Sequence, residues 1–260
     1  MMFLSMNTPS SQKDAPLLQQ FCMWARIFIH VVRGAFTFSF VFPLIDPEAK
    51  KVQINKWSSQ LLRIVNIELQ VRGHGVIARP PYLLVANHIS WLDIHAINAY
   101  EPIRFVAKSE VMSWPVFGWM ARQLGTVFVC RDRARHTKTV VDQLAAILQG
   151  ESICLFPEGT TTVGARVLPF QPNLFESALL AGVPVQPLAI CYVSSITNER
   201  TEVPAFVGGM GLLESIANIV KKPYLRVELQ FLPCFSGAFD AEVGRKKLAL
   251  YCQECIARCL

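Results

Sequence analysis

From Ile67 onward, short apolar runs (IELQV, YLLVA, IRFVA, TVFV, SICLF, VPVQPLAICY and LRVELQF) alternate with amphipathic stretches such as ARHTKTVVDQLAAILQ. Antiparallel neighbours need only a few connecting residues. Strand-length runs separated by helix-length segments instead ask for crossover connections, which place strands side by side in parallel. The pattern predicts an α/β domain over residues 67–260: a mostly parallel central sheet flanked by helices, with no internal repeat or linker, closed by a helix in AFDAEVGRKKLALYCQECIARCL.

Residues 17–66 read differently. The stretch LLQQFCMWARIFIHVVRGAFTFSFVFPL, Leu17 to Leu44, is apolar and helix-like, yet Arg26, His30, Arg33 and Thr37 recur at helical spacing as a polar stripe, and Pro43 ends the run. A helix wholly surrounded by lipid needs roughly 20 uninterrupted apolar residues, so an interfacial or partly inserted helix fits better. Asp46-Pro47-Glu48 then marks an N-cap with proline at the first helical position, opening a second helix with Lys50, Lys51 and Lys56 beside Ile54, Trp57 and Leu61. Together they predict an N-terminal membrane-seated helical hairpin; the alternative is that both helices simply pack on the core. Residues 1–16 lack the layout of a signal peptide and read as a disordered tail.

Composition agrees with a membrane surface. The chain is 52% apolar and only 17% charged, with a net charge of +6. Its lysines and arginines are scattered, without the motifs of a nucleic-acid reader, so anionic head groups are the expected partner and nucleic acid is not. The eight cysteines fall mostly in apolar segments, as reduced thiols do, which points to a cytosol-facing location. Cys252, Cys255 and Cys259 share a helical face, but no fourth ligand has matching spacing, and no metal is expected.

Chemistry concentrates where strands end. In VANHISWLDIHA (85–96), His88 and Asp93 are five residues apart, about 140° around a regular helix, so one helical face cannot join them. They meet if His88 occupies the turn after the strand and Asp93 the first turn of the following helix. The carboxylate then fixes one ring nitrogen as a donor and leaves the other free to take a proton. Two readings compete: a core histidine with Asp93 as a helix N-terminal charge, and a metal cluster extended by His95. A second strand ends in SICLFPEGTTT (152–162), where Glu158 looks poorly suited to a core. Gly159 lets the backbone approach a ligand, and the amides that follow can face an oxyanion.

Asn87 with His-Ile-Ser-Trp-Leu-Asp, then Gly125-Thr-Val-Phe-Val-Cys-Arg131, Phe156-Pro-Glu-Gly-Thr160 and Val183-Pro-Val-Gln-Pro187 together resemble the four ordered blocks of the glycerolipid acyltransferase family, lysophosphatidate type. The resemblance covers about Tyr82 to Tyr192 and implies an O-acyltransferase. Such an enzyme moves a fatty acyl chain from acyl carrier protein or coenzyme A to a lysolipid hydroxyl, with the thioester as co-substrate and no other cofactor.

By the same resemblance His88 is the general base and Asp93 orients it. Arg131 contacts the acceptor's phosphate, Glu158, Gly159 and Thr160 contact its polar group, Lys108 lies near it, and Pro187 shapes the acyl-donor side. The implied acceptor is 1-acyl-sn-glycerol-3-phosphate, the product phosphatidate, and the location the cytoplasmic face of the inner membrane. One departure matters: Thr161 stands where arginine is common, and PFQPN (169–173) lacks a lysine. Such versions also resemble enzymes acting on lyso-ornithine lipid or other lysophospholipids. A thioesterase or lipid hydrolase is the alternative from another class, although no Gly-x-Ser-x-Gly elbow is present.

Overall fold

The computed structural model describes residues 14–114, 117–129, 134–235 and 244–260. Among these, strands β1 (Ile67–Arg72), β2 (Leu83–Ala86), β3 (Arg104–Lys108), β4 (Val127–Val129), β5 (Ile153–Leu155), β6 (Val185–Ser194) and β7 (Leu225–Phe231) form one sheet in the order β1-β7-β6-β2-β5-β3-β4. Every neighbouring pair is parallel except β6 with β7. The sheet is therefore mostly parallel, as the alternating pattern predicts.

Helices cover both faces, and the central strand shows why its sequence is continuously apolar. Leu84 and Ala86 of β2 face a core shared with α3 (Leu92–Tyr100) and α7 (Leu212–Lys221), whereas Leu83 and Val85 face one shared with α5 (Ala134–Leu148), α6 (Glu176–Ala181) and α8 (Arg245–Ala257). A strand buried on both sides has no polar face to show. Gly208 to Gly211 lead into α7, with Gly211 at its N-cap.

The N-terminal segment folds as α1 (Leu17–Phe36), a π-helical turn over Thr37–Val41, a short 3-10 turn containing Pro43, and α2 (Pro47–Ile64). Asp46 caps α2, its side chain accepting from the Ala49 amide at 2.8 Å. Residues 1–13 of the expected tail lie outside the described residues; Ala15 is already fastened, its amide donating to the Lys221 carbonyl at 2.8 Å. The polar stripe expected on α1 is split by the fold. Arg26 and Arg33 are exposed, but His30 turns inward with Met23, Ile27 and Gly34, because its ring stacks on Trp57 of α2 at 4.9 Å. Gly34 makes that approach possible, since a Cβ there would lie 2.6 Å from the Trp57 indole nitrogen. The outward face of α1 is apolar instead: Phe21, Phe28, Ile29, Val32 and Phe36 are all exposed. The hairpin thus packs on the core along one side and leaves an apolar face on the other.

Trp57 also meets His95 of α3 edge-on at 5.1 Å, and α4 (Phe117–Gln123) joins the group through Trp119 and Met120. Asn55 of α2 closes the C-terminal end of α3, its side chain donating to the Ala99 carbonyl at 2.8 Å.

Burial pushes the His95 imidazole down to about 3 from its ordinary 6.5. Between those values the unfolded chain binds the proton and the folded chain does not. The stability that this group contributes is therefore complete above about pH 6.5 and is lost progressively as pH falls toward 3. Urea midpoints for wild type and His95→Phe at pH 7 and pH 5 test this: the variant is expected to lose less between the two, because one proton is removed from the linkage, although it begins lower for want of a partner for Ser58.

Candidate active site

The C-terminal ends of β2 and β5 lie side by side at the centre of the sheet, so the turns that follow them meet. Asn87 secures the first turn. Its side-chain nitrogen donates to the Ile190 carbonyl at 3.0 Å, and its oxygen accepts the Ile190 amide at 2.8 Å, extending the β2 to β6 ladder past the strand's last residue. The chain then turns, placing Asp93 in the first turn of α3 and His88 before it.

His88 Nδ1 lies 2.8 Å from Asp93 Oδ2, and the His88 ring stacks on Phe156 with centroids 3.9 Å apart and planes 11° from parallel. One edge of the ring is thus held by a carboxylate and one face by a benzene ring, leaving Nε2 for an incoming group. The His88 side chain is 19% exposed, whereas that of Asp93 is 0%. Four donors replace the water Asp93 has lost: Oδ2 accepts His88 Nδ1 and the amides of Ile89 at 2.7 Å and Ser90 at 3.0 Å, and Oδ1 accepts the Tyr192 hydroxyl at 2.8 Å. Asp93 is both an N-terminal helix charge and the partner of His88. The two roles set against each other by the sequence coexist.

Glu158 departs from its expectation. It is buried, and each carboxylate oxygen holds a backbone amide: Oε1 accepts His88 at 2.8 Å and Oε2 accepts Leu168 at 2.9 Å. A carboxylate is satisfied in a core when backbone donors surround it, which a sequence motif cannot reveal. Burial pushes its carboxyl upward, against the pull of the same two amides.

The loop beyond Glu158 wraps the first turn. Gly159, with φ of +70°, closes a turn through its amide to the Phe156 carbonyl at 3.0 Å, and the Thr162 amide donates to the His88 carbonyl at 2.8 Å. Between them, the amides of Thr160 and Thr161 have no hydrogen-bond partner among the described residues. The Thr161 hydroxyl donates to the Phe206 carbonyl, and the Phe206 amide donates to the Ile89 carbonyl at 2.9 Å, so the chain at Phe206 lies against both turns.

His88, Asp93, Glu158 and Gly159 are brought together; Thr160 stands exposed on the rim. Lys108 is exposed at the same edge of the sheet, three residues beyond Phe105, which pairs with Cys154 of β5. Pro187 is not on the rim but within the sheet, in register with Val85 and three residues before Ile190, whose backbone holds Asn87. Arg131 lies outside the described residues. Tyr192 and Phe206 also belong to the site, although no motif marks either of them. Both are far from the His88 turn in sequence, and only the sheet register and the loop path bring them to it. Among the described residues, no three His, Cys, Asp or Glu side chains are grouped closely enough to hold a metal ion.

Residues 68–191 match the Acyltransferase family. The chain is 37% identical over 207 residues to a lyso-ornithine lipid O-acyltransferase of Pseudomonas aeruginosa, an alignment covering 75% of this chain and 77% of that one. It is 35% identical over 198 residues to a 1-acyl-sn-glycerol-3-phosphate acyltransferase of Neisseria meningitidis, covering 75% and 76%. The fold is similar to the crystal structure of the 1-acyl-sn-glycerophosphate acyltransferase PlsC from Thermotoga maritima, with a TM-score of 0.67 and 22% identity over 93% of each chain.

Replacing Glu158 by Gln sets an amide N–H against a backbone N–H at one of its two contacts. The expected loss is about 2 kcal/mol, the worth of a charged hydrogen bond, and a melting temperature lower by roughly 5 °C. Calorimetry, with amide exchange accelerated at His88 and Leu168, checks it.

Proposed function

Since the chain belongs to the glycerolipid acyltransferase family and is an O-acyltransferase, we propose that it carries a fatty acyl chain from an acyl thioester to the free hydroxyl of 1-acyl-sn-glycerol-3-phosphate, giving phosphatidate in phospholipid biosynthesis. The observation that carries this reading is the 2.8 Å pair of His88 and Asp93 at the end of β2. With Nδ1–H donating to Asp93, Nε2 takes the acceptor's hydroxyl proton as its oxygen attacks the thioester carbonyl. The amides of Thr160 and Thr161 meet the resulting oxyanion. Collapse of the intermediate breaks the carbon–sulfur bond, and the imidazolium returns its proton to the departing thiolate. No acyl-enzyme is required, and the donor is acyl carrier protein or coenzyme A thioester.

Two features favour a second acceptor, lyso-ornithine lipid. Thr161 occupies the place where arginine is common, with its hydroxyl committed to Phe206, and PFQPN supplies no lysine. A phosphate monoester carries close to two charges and is best held by several cations; a zwitterionic head group needs fewer. Lys108 and Arg131 are the cations assigned to the phosphate. A hydrolase reading is set aside, because the relatives are acyltransferases.

The seat of the reaction is the cytoplasmic surface of the inner membrane. By length and composition the segment from Leu17 to Leu44 is apolar enough to cross a bilayer. Its inner side, however, packs on the protein through Met23, Ile27, His30 and Gly34, which supports an interfacial position with Phe21, Phe28 and Phe36 in the acyl region.

Purified protein given a panel of lysolipids with each donor, with products identified by mass, tests the reaction. His88→Ala is expected to remove transfer, at least about a hundredfold, while keeping the fold. Lys108→Ala is expected to raise KM for lysophosphatidate and leave that for lyso-ornithine lipid little changed. Turnover of every lysolipid at the wild-type rate by His88→Ala would refute the mechanism. On liposomes, Phe28→Glu with Phe36→Glu is expected to lower the partition coefficient read by sedimentation at least about a hundredfold, since two buried Phe at roughly 1.5–3 kcal/mol each contribute about 3–6 kcal/mol.

A further inference from the structure

The two oxygens of Asp93 are treated unequally. Oδ2 accepts three donors, all from the turn that carries His88, whereas Oδ1 accepts one, the hydroxyl of Tyr192, which reaches it at 2.8 Å from β6, 99 residues away in sequence. Tyr192 is 2% exposed, and its strand is locked between β2 and β7, so the phenol has little freedom to point elsewhere. The carboxylate is therefore gripped from two sides, by the local turn and by the sheet.

Resting on the proposed base role of His88, the geometry points to Tyr192 as a positioning residue for acyl transfer: its hydroxyl fixes the plane of the Asp93 carboxylate and withdraws charge from it, setting both the aim and the strength of the base. The turn alone leaves the carboxylate anchored at one oxygen, about which its plane can tilt. The phenol anchors the other. A hydrogen bond to Oδ1 also spreads negative charge away from Oδ2, and so weakens the carboxylate's hold on the imidazolium form of His88. Burial, followed by the neighbouring Asp93 charge, pushes the phenol well above its ordinary range, so it remains a donor throughout the working pH. Among the described residues, the other titratable groups around this unit are Glu158, which holds the His88 amide, and Cys154 of β5, whose thiol burial also pushes upward. Neither supplies a donor to Oδ1.

Tyr192→Phe removes the hydroxyl and keeps the ring. The expected result for the full chain in detergent is a fall of about tenfold in kcat with KM for the lysolipid nearly unchanged. The acid limb of the kcat/KM profile is expected to move upward by about half a pH unit, because an undrained carboxylate holds the imidazolium more firmly. A cycle with Asp93→Asn separates this from a packing role. In the wild-type background the hydroxyl acts through a carboxylate. Once Asp93→Asn has removed that carboxylate, adding Tyr192→Phe is expected to cost no more than about twofold and to shift nothing.

Equal tenfold losses in both backgrounds, or an unmoved acid limb in the single variant, would overturn the proposal. Should Tyr192→Phe fail to fold, 3-fluorotyrosine placed at 192 preserves shape and bond while donating more strongly, and the acid limb is expected to move downward; an unmoved profile again overturns it. His88→Ala is run alongside. If that variant turns over at the wild-type rate, the base reading itself fails. If it is inactive while Tyr192→Phe matches wild type in rate and profile, only the role of Tyr192 fails.

Discussion

The candidate site is organised around the buried carboxylate of Asp93. Asp93 has no exposed surface, and a charge so placed is tolerated only where donors replace the water it has lost. The donors come from His88, Ile89, Ser90 and Tyr192, so the turn after β2, the start of α3 and the middle of the sheet are bound to one group. Glu158 repeats the device one turn away, joining the His88 amide to Leu168. Together the two carboxylates hold the histidine's backbone and its ring, leaving little for the substrate to organise. Such preorganisation is what general base catalysis asks of a scaffold.

The hairpin is coupled to the same unit. α3 carries Asp93 at its first turn and His95 two residues later, and His95 meets Trp57 of α2, which stacks on His30 of α1. A continuous run of aromatic contacts therefore leads from the apolar outer helix to the helix that carries Asp93. If the outer face of α1 lies in lipid, the acceptor's hydroxyl and the base proposed at His88 share one surface, which removes the need to draw a lysolipid fully out of the bilayer. The closing segment around Phe206 adds a second boundary: its amide donates to the Ile89 carbonyl, its own carbonyl takes the Thr161 hydroxyl, and its ring meets Trp114 edge-on at 6.0 Å. Thr161 is thereby drawn into the wall of the site, and a substitution there changes loop packing as well as charge.

Much of this was legible in the chain itself. Strand-length apolar runs separated by helical ones dictate a mostly parallel sheet, because short parallel strands can be joined only by crossovers. The five-residue spacing of His88 and Asp93 admits a pairing only across a strand-to-helix turn, and that is where they meet. The N-cap at Asp46 follows from local stereochemistry and needed no tertiary context, whereas the α-helix already ends at Phe36 and Pro43 lies inside the 3-10 turn that carries the helical run on to Leu44.

Other features were decided only by the folded arrangement. A helical stripe of Arg26, His30, Arg33 and Thr37 is one face on paper, yet the availability of Trp57 across the interface turned His30 inward and left phenylalanines outside. Glu158 looked out of place in a core because sequence lists charges, whereas burial depends on backbone donors brought from positions 88 and 168. Pro187 belongs to a block with the site in sequence but lies within the sheet, because β6 pairs with β2 over Val185–Leu188 and offers the site Ile190 and Tyr192, beyond that pairing, instead. Local patterns determine which elements form and where chemistry sits; which distant side chains complete a charged site is set by strand order and register, which no local pattern contains.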